Sequence, residues 1–222
     1  MDEKILRVLN RLGEQSKLER SGELKVLPED EMLAITPDTG RFFNIILNAM
    51  HAKRILEIGT SVGYSTLWFA DAVIQNGITK AEGSKPIITI DINHSKIEKA
   101  TKNFHDAEVN SLIKVVEGSA MNILQEMSNN YNHREMDIKK TDGLFDFVFF
   151  DADKENLRDY FDLVIPMLRV GGIVATDNML YPEDYRPLML NYASYVRSKP
   201  YIQSIMVPIG NGEEITIKLA SN

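Results

Sequence analysis

From Arg54 onward the chain alternates short apolar runs with amphipathic stretches, and that alternation limits what it can fold into. Arg54–Gly59, Ile87–Asp91, Ile113–Glu117, Phe145–Phe150 and Ile173–Thr176 read as strands. Tyr64–Ile74, Ser95–Phe104, Ala120–Met127, Asn156–Leu168 and Tyr185–Arg197 read as helices between and after them. Parallel strands need long crossovers, and a crossover helix satisfies that need while covering the sheet. The end of the chain breaks the rhythm. Ser204–Ile209 and Glu214–Leu219 flank Gly210-Asn-Gly212, which predicts an antiparallel hairpin closing the sheet. The expected fold class is therefore α/β: a seven-stranded, mostly parallel sheet with helices on both faces and a C-terminal hairpin.

Ahead of this pattern, Ile5, Val8, Leu9 and Leu12 are spaced for a helix within residues 2–20. A second helix is expected over Thr39–Met50, capped by Thr36 or Asp38. The 222 residues, 44% hydrophobic, suffice for one domain over 1–222, with 1–30 as a helical extension. Gln75–Lys85 and Ser128–Asp142 are polar and are read as surface loops.

A net charge of −7 argues against a protein that coats nucleic acid. With no cysteine, disulfides, thiolate metal sites and a cysteine nucleophile are excluded. The N-terminus lacks the apolar core of a signal peptide, and no run approaches the ~18 apolar residues of a membrane span. A cytoplasmic enzyme is expected. His51, His94, His105 and His133 show no metal-ligand spacing.

The chemistry collects at strand ends. Phe145-Asp-Phe-Val-Phe-Phe-Asp151-Ala-Asp153-Lys154 ends in carboxylates and a lysine; Ile173-Val-Ala-Thr-Asp177-Asn178 ends in a carboxylate and an amide. Neighbouring parallel strands bring Asp151, Asp177 and Asn178 to one rim. Three oxygen donors there suit a hard divalent cation such as magnesium, and Lys154 beside it is a candidate base. Glu57-Ile-Gly59-Thr-Ser-Val-Gly63-Tyr-Ser65 is a glycine turn between strand and helix, suited to close ligand approach. It lacks the central glycine of a dinucleotide fingerprint, and Glu57 would repel a pyrophosphate. Asp91 is placed for ribose hydroxyls, with helix capping as the alternative role. Gly118-Ser-Ala120 is placed to line an adenine pocket. Together these parts suit adenosine with a cationic tail: S-adenosylmethionine.

Glu-Ile-Gly-Thr-x-x-Gly-Tyr-Ser, Asp-Ile-Asn, Glu-Gly-x-Ala, Asp-Ala-Asp-Lys, Gly-Gly and Asp-Asn follow one another as in cation-dependent class I O-methyltransferases. The chain most resembles the caffeoyl-coenzyme A O-methyltransferase group, over about Leu33 to Leu219; catechol O-methyltransferase is a more distant likeness. The resemblance implies a Rossmann-like methyltransferase fold. It implies Asp151, Asp177 and Asn178 as ligands of Mg2+ or another divalent cation such as Mn2+ or Ca2+. It implies Ile35, Thr36, Glu57, Gly59, Thr60, Ser65, Asp91, Ala120, Asp151 and Asp153 at cofactor positions, and Lys154 with Asp151 in catalysis. The expected reaction moves the methyl of S-adenosylmethionine to a hydroxyl of a catechol-like phenol. A homodimer is expected, as is common in the family. The chain departs from the plant pattern at Thr39, Arg41 and Met179-Leu-Tyr181-Pro182-Glu183, so the acceptor pocket differs.

Two rival readings stand beside this one. A tRNA hydroxyuridine O-methyltransferase would need a basic strip from Lys4, Arg7, Arg11 and Lys17, or from Lys139-Lys140. A nicotinamide-dependent oxidoreductase would need the missing glycine.

Overall fold

The structure, a computed structural model, describes residues 1–27, 30–80, 84–132 and 144–221. The elements run α1 (Glu3–Ser21), α2 (Pro37–Ala49), β1 (Ile55–Ile58), α3 (Tyr64–Gln75), β2 (Ile87–Asp91), α4 (His94–Asp106), β3 (Ile113–Glu117) and α5 (Ala120–Asn132). They continue β4 (Phe145–Phe150), α6 (Leu157–Val164), β5 (Leu168–Thr176), α7 (Arg186–Arg197), β6 (Ile202–Val207) and β7 (Glu213–Lys218). The seven strands form one sheet in the order β3-β2-β1-β4-β5-β7-β6. β2 with β3, β1 with β4, and β4 with β5 are parallel; β7 runs antiparallel to both β5 and β6. The expected mostly parallel sheet with a closing hairpin is what the chain forms.

Met1–Lys53 with Gly59–Glu117 make one compact unit, and Arg54–Ile58 with Gly118–Asn222 make another. In the first unit, the Asp2 carboxylate accepts from the amides of Lys4 and Ile5 and starts α1; Gly22, at φ +75°, ends it. Ile5, Val8, Leu9 and Leu12 are the buried stripe, as their spacing predicts. Thr36 caps α2 by accepting from the Thr39 amide, which settles the choice between Thr36 and Asp38. Pro37 then occupies the first turn, where its missing N–H costs nothing. α3 is almost wholly buried, and Asn93 caps α4.

The second unit holds the strands whose ends carry the carboxylates. Phe147, Val148, Phe149 and Phe150 of β4 are all fully buried, as expected of a central parallel strand. Three sequence expectations needed correction here. α5 runs on to Asn132, so the polar segment begins in helix rather than loop; residues 133–143 of that segment, His133 among them, lie outside the described residues. α6 stops at Val164, because Pro166 lacks the N–H needed to continue it, and Ile165–Met167 tighten into a 3-10 turn. β5 starts at Leu168, five residues before the expected Ile173. Phe145 opposes Leu168 while Phe147 opposes Ile173, so β5 bulges there, and Gly171 (φ +74°) and Gly172 absorb the extra residues. A glycine pair that reads as a turn is thus the inside of a strand.

Candidate active site

The β4–β5 ladder ends with Phe150 opposite Thr176, and the Asp177 amide still donates to Phe150 O at 3.0 Å. The Asp151 amide donates to Ile58 O at 2.8 Å. Backbone hydrogen bonds therefore fix Asp151 and Asp177 side by side at the carboxyl ends of β4 and β5, where open α/β sheets bind ligands. Asn178 has φ +68°, a left-handed conformation that asparagine tolerates better than most residues. Its amide donates to Asp177 Oδ1 at 2.6 Å and its Nδ2 to Asp177 Oδ2 at 3.2 Å. Both nitrogens face Asp177, so Oδ1 is left for another partner. Lys154 takes it: Nζ donates to Asn178 Oδ1 at 2.6 Å and lies 3.7 Å from Asp151 Oδ1, with its side chain 10% exposed. An ammonium thus ties the strand β4 side of the set to the β5 side.

Asp153 turns to a local task. It accepts from the Tyr160 hydroxyl at 2.6 Å and from Asn156 Nδ2. Burial first, and the Asp153 carboxylate second, push the Tyr160 hydroxyl well above its ordinary pKa, so it stays a donor to Asp153.

Glu213 is the residue that sequence reasoning missed. It opens β7, is fully buried, and among the described residues neither carboxyl oxygen has a hydrogen-bond donor. Thr176 opposes Glu214 in the β5–β7 ladder, and the antiparallel register carried one step further sets Glu213 against Asp177. Burial, then the Asp177 carboxyl, then Asp151, raise its pKa well above the ordinary glutamate value; Lys154 opposes this. The available signal was an acidic pair opening a strand otherwise built of Ile-Thr-Ile. Among the described residues, no three His, Asp or Glu side chains yet converge on one metal-sized point. Asn178 adds an amide oxygen beside these carboxyls, and Lys154 donates to it.

The remaining expected cofactor residues fall in both units. In the first, Gly59 (φ +104°) and Gly63 (φ +83°) make the turn into α3. A Cβ on Gly63 would lie 2.4 Å from the Phe104 ring. Among the described residues, no side chain caps the start of α3. Thr60 and Thr89 hydroxyls meet at 2.6 Å, both buried. Asp91 accepts from the Ser61 amide (2.7 Å, Oδ2) and from the Asn93 amide (2.9 Å, Oδ1). It is therefore held rigidly by backbone, and the cap of α4 is Asn93 instead. Ser61 in turn donates to Met32 O at 2.6 Å. Ile35 and Ser65 are buried, and Thr36 is engaged with Thr39. In the second unit, Glu57 is fully buried on β1 and Ala120 begins α5. Tyr64, Trp68 and Tyr160 are buried with the core. His94 is exposed and pairs with Glu117 at 3.0 Å, which raises its pKa.

The sheet order defines an open α/β fold with carboxylates at the ends of two central strands. The model of the O-methyltransferase family matches residues 16–219. The caffeoyl-CoA O-methyltransferase 5 of Nicotiana tabacum is 30% identical over 196 residues, covering 82% of this chain and 75% of the relative. Among solved structures, the Bacillus cereus O-methyltransferase in complex with SAH matches with TM-score 0.71 at 22% identity, over 98% of this chain and 91% of that one. TomG of Streptomyces achromogenes, an O-methyltransferase of tomaymycin synthesis in complex with SAM, matches with TM-score 0.71 at 22% identity, over 99% and 91%. The chain belongs to the O-methyltransferase family and is an S-adenosylmethionine-dependent enzyme of that class.

Proposed function

We propose that this enzyme is a divalent-metal-dependent O-methyltransferase acting on a catechol-like small molecule. The observation that carries the reading is the group Asp151, Lys154, Asp177 and Asn178, drawn together at two adjacent strand ends with only oxygen donors beside one ammonium. Oxygen donors fit a hard cation, and Glu213, buried beside them with no donor among the described residues, adds a further acid to the group. Asp151, Asp177 and Asn178 would hold Mg2+, Mn2+ or Ca2+. Such an ion supplies Lewis acidity that lowers the pKa of an acceptor hydroxyl.

The other parts are the chain's own. Lys154 Nζ, at the edge of the group, would take the hydroxyl proton as the neutral amine, becoming the ammonium. Asp91, pinned by two backbone amides, presents a fixed carboxylate for ribose hydroxyls. Glu57 favours a cationic tail over a phosphate one, and the Gly59–Gly63 turn admits close backbone approach. Asp153, fixed by Tyr160, completes the cofactor set. Holding nucleophile and methyl donor in line accounts for much of the expected acceleration.

The tRNA reading requires a free basic strip on α1. Lys4 instead pairs with Glu108 at 2.5 Å, Arg7 donates to Asp106 O, and Arg11 binds Asn103 at 2.7 Å and Asp106 at 3.4 Å. Two of the four cations, Lys4 and Arg11, are thus ion-paired within their own unit, and Lys139-Lys140 lie outside the described residues. Family membership removes the oxidoreductase reading.

The test is S-adenosylhomocysteine release with a panel of vicinal-dihydroxy phenols, with and without chelator, beside Asp151→Ala. Turnover lost on chelation and in the variant is expected. Turnover indifferent to chelator would sink the metal reading.

A further inference from the structure

β7 carries two consecutive buried glutamates, and they are treated in opposite ways. Glu214 is fully buried and fully partnered: Arg197 donates to it from Nε at 2.8 Å and Nη2 at 2.6 Å, and the Ser204 hydroxyl donates at 2.5 Å. Glu213, on the other face of the strand, is equally buried, and among the described residues no donor reaches either oxygen. A carboxyl buried without a partner is costly to ionise and costly to leave unsatisfied. Nothing in its own strand repays that cost. Across the β5–β7 ladder, where Thr176 opposes Glu214, the register sets Glu213 against Asp177.

We propose that Glu213 is a fourth oxygen donor for the divalent cation, added by β7 to Asp151, Asp177 and Asn178. The inference rests on the metal reading above. Carboxyls set against each other without a donor between them are tolerated where a multivalent cation lies between them or one proton is shared. A hard cation accepts six or more oxygens and gains from each added carboxylate. Backbone contacts keep β7 beside the group. Met179 N donates to Gly212 O at 3.0 Å and Leu180 N to Asn211 O at 2.8 Å, so the hairpin turn stays laced to the segment after Asn178. Gly212, at φ +88°, allows this approach, since a Cβ there would lie 2.6 Å from Leu180. Convergence of the side chains on one point is what the ion adds.

The experiment compares the chelator-stripped full-length protein with Glu213→Gln and Glu213→Asp. Mn2+ binding is read by the loss of the free-ion electron paramagnetic resonance signal, and thermal melting is read with and without Mn2+. Glutamine keeps shape and removes charge; aspartate keeps charge and withdraws the oxygens by one carbon. We expect Mn2+ affinity to fall about 10–100-fold in Glu213→Gln, in the range of lost supporting groups at metal sites. A smaller fall is expected in Glu213→Asp, which carries the test if the glutamine variant does not fold. The metal-free Glu213→Gln protein should melt no lower than wild type, while its gain on adding Mn2+ shrinks. Wild type that binds Mn2+ beside folded variants that bind it equally would overturn this proposal alone. Wild type that binds no Mn2+ would overturn the metal reading and this proposal with it.

Discussion

Asp151 and Asp177 sit at strand ends, but what sets their chemistry is the residue next to each. Asn178 points both nitrogens at Asp177 and its oxygen at Lys154, so the lysine is held by side chains whose positions the sheet dictates. Replacing Lys154 by methionine keeps the stem and removes the proton acceptor. The expected result is a loss of about 10²- to 10⁴-fold in kcat/KM, with cofactor binding intact by calorimetry. Wild-type turnover in that variant would assign the proton to water. Arg197→Ala leaves Glu214 buried with one hydroxyl donor. Breaking a fully buried pair costs about 3–5 kcal/mol. The Arg197 side chain is 45% exposed, so roughly 2–3 kcal/mol is expected in urea unfolding after discounting for solvent. At this scale Asp151, Asp177, Asn178 and Lys154 were legible because they punctuate apolar strands. Glu213 was not, because nothing in a lone sequence tells which of two adjacent glutamates on a strand has a partner.

Helices and strands were legible where apolar period and caps agreed. β2, β3 and β4 fall on their expected bounds, and α2 takes Thr36, one of its two expected caps, while starting at Pro37 rather than Thr39. The misread stretch is Ile165–Gly172. There a proline ends a helix early and two glycines sit inside a strand, so each local signal is correct and its location in the element is not. The α2–α3 contact shows a tighter constraint. A Cβ on Gly40 would lie 2.3 Å from Trp68 Nε1, so α2 lies flush on the indole. Gly40→Ala, although it raises helix propensity, is expected to destabilise by about 1–3 kcal/mol through overpacking. Because Trp68 is the one tryptophan of the chain, its fluorescence should shift in the same variant. An unshifted spectrum with an unchanged melting point would show that the indole swings aside freely.

For the whole molecule, one buried cation gives a pH signature. Lys218 is 4% exposed, and its ammonium donates to Ile165 O at 2.7 Å and Leu168 O at 3.0 Å. Burial lowers its pKa below the ordinary 10.5. Between that lowered value and 10.5 the unfolded chain binds more protons than the native one, so stability rises with pH across this window. Lys218→Met should remove that rise in urea midpoints taken through the window, and should cost stability below it by stranding both carbonyls. An identical slope in variant and wild type would place the titration elsewhere. The βα alternation made the sheet and its closing hairpin legible from the sequence, since few topologies accept it. The electrostatics were not, because pairing depends on partners distant in the chain, as Arg197 is from Glu214 and Ile165 from Lys218.

The inward face of β7 carries Glu214, Thr216 and Lys218, all buried and each committed to a named polar partner. A side-chain period of two means that a slip by one residue would present Ile215 and Ile217 to Arg197 and to the carbonyls of Ile165 and Leu168. Greasy faces tolerate misalignment; this one rejects it at every rung. β7 is thereby a strand whose alignment the fold can verify at each buried polar rung.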